Sequence, residues 1–183
     1  MDKQFLRDEI ILKRNCLSVS KLQNGSLKIF KNLISLKEIN SAKLVFCYLS
    51  THREVDTKRI VGYLIDENKC VCVPKINGLK MDAIEINQKT TYSINKFKIK
   101  EPDFGQVIIP QEIEVCIVPG LCFTKNGTRL GYGKGYYDKF LDGLNCFKIG
   151  LCLDEFIMEN IPKEKTDIKM NCIVTQSRVI NCV

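Results

Sequence analysis

Apolar residues fall into two rhythms along this chain. Short, nearly unbroken apolar runs occupy 43–49, 70–74, 81–86, 115–118, 148–153 and 172–175. Runs of that kind suit strands buried on both faces. Between them the spacing lengthens to the helical period. Residues 3–16 and 25–35 read as an N-terminal helix pair, and Asp56-Thr57 offers an N-cap to a helix carrying Ile60, Val61, Leu64 and Ile65. A further helix is expected over 136–144, right after a glycine-rich loop. A short strand at 107–109 lies in a less regular stretch, 76–111, with room for a small antiparallel excursion, and 154–171 reads as a connection. Strands alternating with helices predict an α/β fold, a sheet with helical layers on both sides, as one domain over 1–183.

Composition removes several classes. Hydrophobic residues make up 45% and charged residues 27% of the 183 positions, which is ordinary for a domain with a buried core. No apolar run approaches the roughly 20 residues that cross a bilayer, and Met1 to Asp8 contains no apolar stretch of the signal-peptide kind. A cytoplasmic protein without a membrane partner is expected. Ten cysteines could suggest disulfides or zinc, but no C-x-x-C pair occurs and most lie inside apolar runs. Reduced thiols packed as small hydrophobes are expected instead. The net charge of +7 suits an anionic ligand. With no tryptophan and scattered lysines, nucleic acid is the weaker candidate, and part of the charge can be plain Lys-rich composition.

The most informative segment runs from Val118 to Asp138. A buried strand leads into a loop with glycines at 131, 133 and 135, flanked by Arg129 and Lys134. Glycines let the backbone take positive φ and approach a ligand closely. Successive amides before a helix, with fixed cations beside them, form an anion site. The pattern is neither G-x-x-x-x-G-K-[ST] nor G-x-G-x-x-G, so a tight strand-to-helix turn with solvated charges stays open as the plainer reading.

A second clue lies on the first helix. At about 100° per residue, with Lys3 at the origin, Arg14 falls near about 20°, Arg7 about 40°, Leu6 about 300°, Ile10 about 340° and Ile11 about 80°. The three cations therefore share the apolar arc instead of the opposite face held by Gln4, Asp8, Glu9 and Asn15. Unpaired buried cations are costly. Such an arc makes sense beside a cleft that holds a polyanion, unless an internal carboxylate pairs with it.

Taken together, Pro119-Gly120, Phe123, Gly127 and the unbroken run Arg129-Leu130-Gly131-Tyr132-Gly133-Lys134-Gly135-Tyr136-Tyr137-Asp138 resemble the signature of the 5-formyltetrahydrofolate cyclo-ligase family. The likeness extends to Lys3, Leu6, Arg7 and Arg14, to Glu54-Val55-Asp56-Thr57, Val73-Pro74 and Glu101-Pro102, and to Thr166-Asp167-Ile168. The resemblance implies a three-layer α/β/α sheet of Rossmann-like type. It also implies MgATP-dependent closure of 5-formyltetrahydrofolate, with or without a polyglutamate tail, to 5,10-methenyltetrahydrofolate. In the family's mechanism the formyl oxygen takes the γ-phosphoryl group, and the folate nitrogen at position 10 closes the ring and expels phosphate. Carried over by position, Lys3, Arg7, Arg14 and the residues Arg129, Leu130, Gly131, Tyr132, Gly133, Lys134, Gly135, Tyr136 and Tyr137 would hold ATP. Arg129 and Lys134 would also be catalytic, and Asp138 and Asp167 would hold Mg²⁺. Thr51, Asp56, Tyr132 and Tyr136 would touch the folate. A monomer is the expectation.

Plainer roles stand beside these. Asp56 suits an N-cap, Asp167 a surface loop, and one of Tyr136 and Tyr137 helix packing. The lone His52 reads as a surface residue and leaves no basis for a His-rich metal site. Two positions depart from the family pattern: Thr124 replaces an aspartate common in relatives, and Thr166 a histidine. A phosphotransferase acting on another small acceptor, or a non-catalytic folate- or nucleotide-binding regulator, would use the same loop.

Overall fold

The computed structural model describes residues 2–51, 53–95 and 99–182; His52 lies outside them. Buried apolar strands assemble first into one large sheet. In chain order, α1 (Lys3–Asn15), α2 (Val19–Ile34) and the short α3 (Lys37–Ser41) lead into β1 (Leu44–Cys47). The helix α4 (Lys58–Asp66) connects β1 to β2 (Cys70–Asn77), which turns back into β3 (Lys80–Ile86). A small hairpin, β4 (Tyr92–Ile94) and β5 (Lys100–Pro102), precedes β6 (Val107–Ile108) and β7 (Val115–Val118). After β7 come β8 (Cys122–Thr124), β9 (Arg129–Leu130), α5 (Tyr136–Leu141), β10 (Phe147–Leu151), β11 (Ile157–Met158), β12 (Cys172–Val174) and β13 (Val179–Asn181).

The main sheet has the order β13-β12-β10-β7-β1-β2-β3-β6. Its centre, β12 to β2, is parallel, with Val45 opposite both Val71 and Val115. At the margins β13 pairs antiparallel with β12, β3 with β2 and β6 with β3. All four residues of β7 are buried, as an apolar run covered on both faces requires. From β1 the chain builds outward to β2, then returns to lay β7, β10 and β12 on the other side. The reversal falls between β1 and β7. Helices flank the sheet: Phe46 of β1 packs on Phe140 and Tyr137 of α5, with ring centroids 4.8 and 6.3 Å apart, while α2 meets α4 through Phe30 and Tyr63. The α/β sheet read from the sequence is thus the observed fold.

Several boundaries differ for physical reasons. The second helix starts at Val19, not at 25, and its Ser18 cap accepts from the Lys21 amide at 3.2 Å. Gly25 lies inside it because a Cβ there would stand 2.3 Å from Leu153 Cδ2, so packing overrides helix propensity. The helix after the glycine loop stops at Leu141, where Asp142 leaves helical space with ψ 126°. The 76–111 stretch extends β2, pairs it with β3 and adds the β4–β5 hairpin and β6. The expected connection at 154–171 contains β11, which joins β8 and β9 in a second small sheet.

That small sheet is anchored to the large one by Phe123. Its fully buried ring lies over Gly120 and Gly150, where an added Cβ would stand 2.6 and 2.5 Å from ring carbons. Any side chain at 150 must displace the ring. Gly150→Ala should therefore lower stability by about 1–3 kcal/mol through overpacking, read as a lower urea midpoint at constant slope. Phe123→Leu added to that variant should recover part of the loss. An unchanged midpoint in Gly150→Ala would show that the ring has room to move.

Candidate active site

Open α/β sheets bind ligands outside the carboxyl ends of their strands, where the strand order reverses. Here the chain leaving β1 and the chain leaving β7 diverge at that point, and a cavity of about 870 Å³ opens between them. Its walls include Tyr48, Leu49 and Thr51 beyond β1, Pro119 beyond β7, and Pro74 and Ile76 on β2. The volume is at the large end for a small-molecule site. The two ends of the cavity differ in chemistry.

At one end lies the glycine loop. Gly133 and Gly135 have φ of 92° and 69°, values that strain any other residue. A Cβ at 133 would also crowd the Arg7 guanidinium at 3.3 Å. Among the described residues, no amide from Gly131 to Gly135 donates to a protein acceptor. These amides are free to bind an anion's oxygens. Since α5 is only six residues long, loop amides and side-chain cations, more than a helix dipole, supply the attraction. Arg7 Nε donates to Gly131 O at 3.1 Å. Arg129 is held from behind, with Nη1 on Pro119 O at 3.2 Å and Nη2 on Asp138 Oδ1 at 2.8 Å. Lys134 is exposed, lines the cavity and has no partner among the described residues.

Helix α1 closes this end. Its buried face carries Lys3, Leu6, Ile10 and Arg14, so the cations do share the apolar side. Of Lys3, Arg7 and Arg14, however, only Lys3 is ion-paired among the described residues. Lys3, 9% exposed, sits 2.8 Å from both carboxylate oxygens of Asp167 and 3.2 Å from Glu164. The internal carboxylate thus meets Lys3, not Arg7.

The other end is largely apolar, with Ile76, Met81 and Ile99 in its wall. Into it faces Glu54, 8% exposed. Its Oε2 accepts from the Thr51 amide at 2.7 Å and the Thr51 hydroxyl at 2.8 Å, and its Oε1 from the Tyr132 hydroxyl at 2.9 Å. Burial, and then the Glu54 carboxylate, push the Tyr132 phenol well above its usual range, so the hydroxyl stays a donor. Tyr136 reaches across to the β2–β3 turn and donates to Gly78 O at 3.2 Å. The Tyr137 phenol is likewise raised, chiefly by burial, and its ring packs on Phe46. In the sequence Glu54 enters only through the family likeness at 54–57, without a role of its own, and the apolar wall went unassigned; a glutamate two residues before an apparent N-cap gives no sign of which way it points.

Most expected site residues meet here: Lys3, Arg7, Thr51, Asp167 and every residue from Arg129 to Asp138 line the cavity. Two do not. Arg14 is buried beneath it, donating to the carbonyls of Gly120 and Leu121 at 2.6 and 2.9 Å. Asp56 is exposed just before α4, whose N-cap is Thr57; its Oδ1 accepts from the Lys58 amide at 2.9 Å. Of the two departures from the family pattern, Thr124 is buried and shares Asn126 with Thr128 in the β8–β9 turn, while Thr166 lines the cavity.

Among the described residues no group of three or more His, Cys, Asp and Glu gathers as a metal cage. Asp138 and Asp167 nonetheless both line the cavity, and the Ile168 amide donates to Asp138 Oδ1 at 3.4 Å, bringing the two segments together. Two carboxylates completed by phosphate oxygens and water form a donor set that suits Mg²⁺.

Comparison with known proteins agrees with this geometry. A family model described as the 5-formyltetrahydrofolate cyclo-ligase family matches residues 1–176. A probable 5-formyltetrahydrofolate cyclo-ligase of Schizosaccharomyces pombe is 34% identical over 178 residues, covering 87% of each chain. The mouse 5-formyltetrahydrofolate cyclo-ligase is 26% identical over 92% of this chain and 91% of its own. The solved structure of Aquifex aeolicus 5,10-methenyltetrahydrofolate synthetase superposes with a TM-score of 0.90 at 30% identity, covering 99% of this chain and 93% of that one. With a glycine-loop cavity at the sheet reversal and a match of that extent, the chain belongs to the 5-formyltetrahydrofolate cyclo-ligase family.

Proposed function

We propose that the protein is an ATP-dependent ligase that closes 5-formyltetrahydrofolate to 5,10-methenyltetrahydrofolate with release of ADP and phosphate. The observation that carries this reading is the two-ended cavity: free loop amides and cations at one end, Glu54 and an apolar wall at the other, continuous at the sheet reversal. The triphosphate lies along Gly131 to Gly135, with Lys3, Arg7 and Lys134 around it. The pterin lies against the apolar wall, where Glu54 can accept from its N–H groups and Thr51, Tyr132 and Tyr136 border it. A formyl amide oxygen is a poor leaving group until it carries a phosphoryl group. Lys134 and Arg129 meet the charge on that group as it transfers, the main task of a phosphoryl-transfer site. Nitrogen 10 of the folate then closes on the activated carbon, and phosphate leaves toward the same cations.

Asp138 and Asp167 would hold Mg²⁺, which screens the phosphates when bound. Arg14 and Asp56 are left out of the ligand-contact set because neither lines the cavity. The ten free thiols suit a reducing cytoplasm.

Mixing the protein with 5-formyltetrahydrofolate and MgATP should give ATP-dependent growth of the methenyl product's absorbance; its absence would refute the activity. Lys134→Ala should lower turnover about 10²-fold with an unchanged denaturation midpoint, since the side chain is exposed. Arg129→Ala should lose both activity and stability, because it strands Asp138 and the Pro119 carbonyl. Near-normal turnover in either variant would remove that residue from the chemistry. Asp138→Asn should raise the Mg²⁺ concentration needed for half-maximal turnover, and an unaltered magnesium titration would exclude it as a ligand.

A further inference from the structure

Arg14 is 5% exposed and, among the described residues, forms no ion pair with a carboxylate. Its two terminal guanidinium nitrogens donate to main-chain oxygens, while the buried Nε has no partner among the described residues. Nη2 reaches Gly120 O at 2.6 Å and Leu121 O at 2.9 Å, and Nη1 reaches Arg53 O at 3.3 Å. Its carbon lies 5.0 Å above the Phe156 ring centroid. The Tyr132 hydroxyl donates to Glu54, the residue that follows Arg53, at 2.9 Å.

These contacts have a common geometry. Gly120 and Leu121 follow β7, and the carbonyl just before them, Pro119 O, orients Arg129. Arg53 follows β1 and directly precedes Glu54; it holds a positive φ of 74°, a conformation that a non-glycine residue keeps only when its surroundings enforce it. Arg14 therefore touches both loops that diverge at the sheet reversal, and one of them carries Glu54, which the Tyr132 hydroxyl ties to the glycine loop. A planar fork spreads its donors over two terminal nitrogens in fixed directions, which suits carbonyls on two separate loops.

We infer that Arg14 is a positioning residue for the reaction: by clamping the loops after β1 and β7, it fixes Glu54 relative to Arg129, and so the formyl oxygen relative to the phosphoryl group. This rests on the function proposed above. It assigns Arg14 no contact with either ligand.

A lysine at 14 keeps the charge and loses the fork, so Arg14→Lys separates positioning from electrostatics. Misplacement by about 1 Å can cost on the order of 10²-fold in rate. Arg14→Lys should thus lower kcat about 30- to 100-fold, with KM for ATP within about threefold of wild type, and Arg14→Gln should do no worse. Tyr132→Phe should lower kcat/KM for 5-formyltetrahydrofolate about tenfold, and the Arg14→Lys/Tyr132→Phe protein should be little worse than Arg14→Lys, because both act on the placement of Glu54, Arg14 through the Arg53 carbonyl and Tyr132 directly. Near-normal turnover in Arg14→Lys with loss in Arg14→Gln would replace positioning by charge and overturn the proposal. Multiplicative losses in the double variant would overturn it too. If Arg14→Lys does not fold, Tyr132→Phe decides alone: its side chain is half exposed, and a variant equal to wild type would refute the dependence on Glu54's placement. Absent wild-type turnover would defeat the proposed function instead. The Tyr132–Glu54 tie would then be read by calorimetry, where Tyr132→Phe should weaken 5-formyltetrahydrofolate binding about fivefold and unchanged affinity would refute it.

Discussion

A cation taken out of water must find oxygen, and α1 turns Lys3, Arg7 and Arg14 inward on the face that also buries Leu6 and Ile10. The apolar pair could pack against many surfaces. The cations cannot. Each finds its oxygens on a different segment: Lys3 on Asp167, Arg7 on Gly131, Arg14 on the loops after β1 and β7. Docking of α1 and assembly of the cavity are therefore one event. Burying a charge without partners is expensive, so a misplaced loop would be felt in the stability of the helix, and a displaced helix in the geometry of the site.

The same balance extends to the cavity's acids. Asp167 neutralises Lys3, and Asp138 neutralises Arg129. Under the proposed function, a nucleotide with its magnesium brings the same two kinds of charge: phosphate oxygens for the cations and a metal for the carboxylates. Binding then exchanges partners more than it adds buried charge, which keeps the desolvation cost of a triphosphate low. Lys134 lies outside this exchange, with no protein partner to give up among the described residues, and is the cation most available to charge that develops during transfer.

How much of this the chain discloses depends on the kind of signal. Val115 to Val118 is legible because a strand buried on both faces must be apolar throughout, and the glycine loop because only glycine tolerates its backbone. The inward stripe of α1 is legible as an angle on a helix, though its partners are not: Asp167 lies 164 positions from Lys3, and nothing local in the sequence links them. Gly25 misleads because its value is tertiary, a space for Leu153. Asp56 and Glu54 show the limit most clearly. Two acids two residues apart follow the same strand; one is spent on the next helix's amide and the other points into the cavity. The turn that introduces both is at Arg53, held at positive φ, and the sequence alone does not announce it.

That turn also explains why the two halves of the site cannot be treated independently. Glu54 belongs to the loop after β1 and Arg129 to the strand reached through the loop after β7, and parallel strands are joined to each other only through backbone ladders that end at Cys47 and Ile117. Beyond those residues the ladder no longer sets the spacing. Something else must hold two diverging loops in register, and side-chain bonds across the gap, Tyr132 to Glu54 and Arg14 to both sides, are what the structure supplies. The sheet reversal that creates room for ligands removes the main-chain support from its own rim. A buried arginine with no acid partner is the economical replacement, because carbonyl oxygens are what loop ends offer.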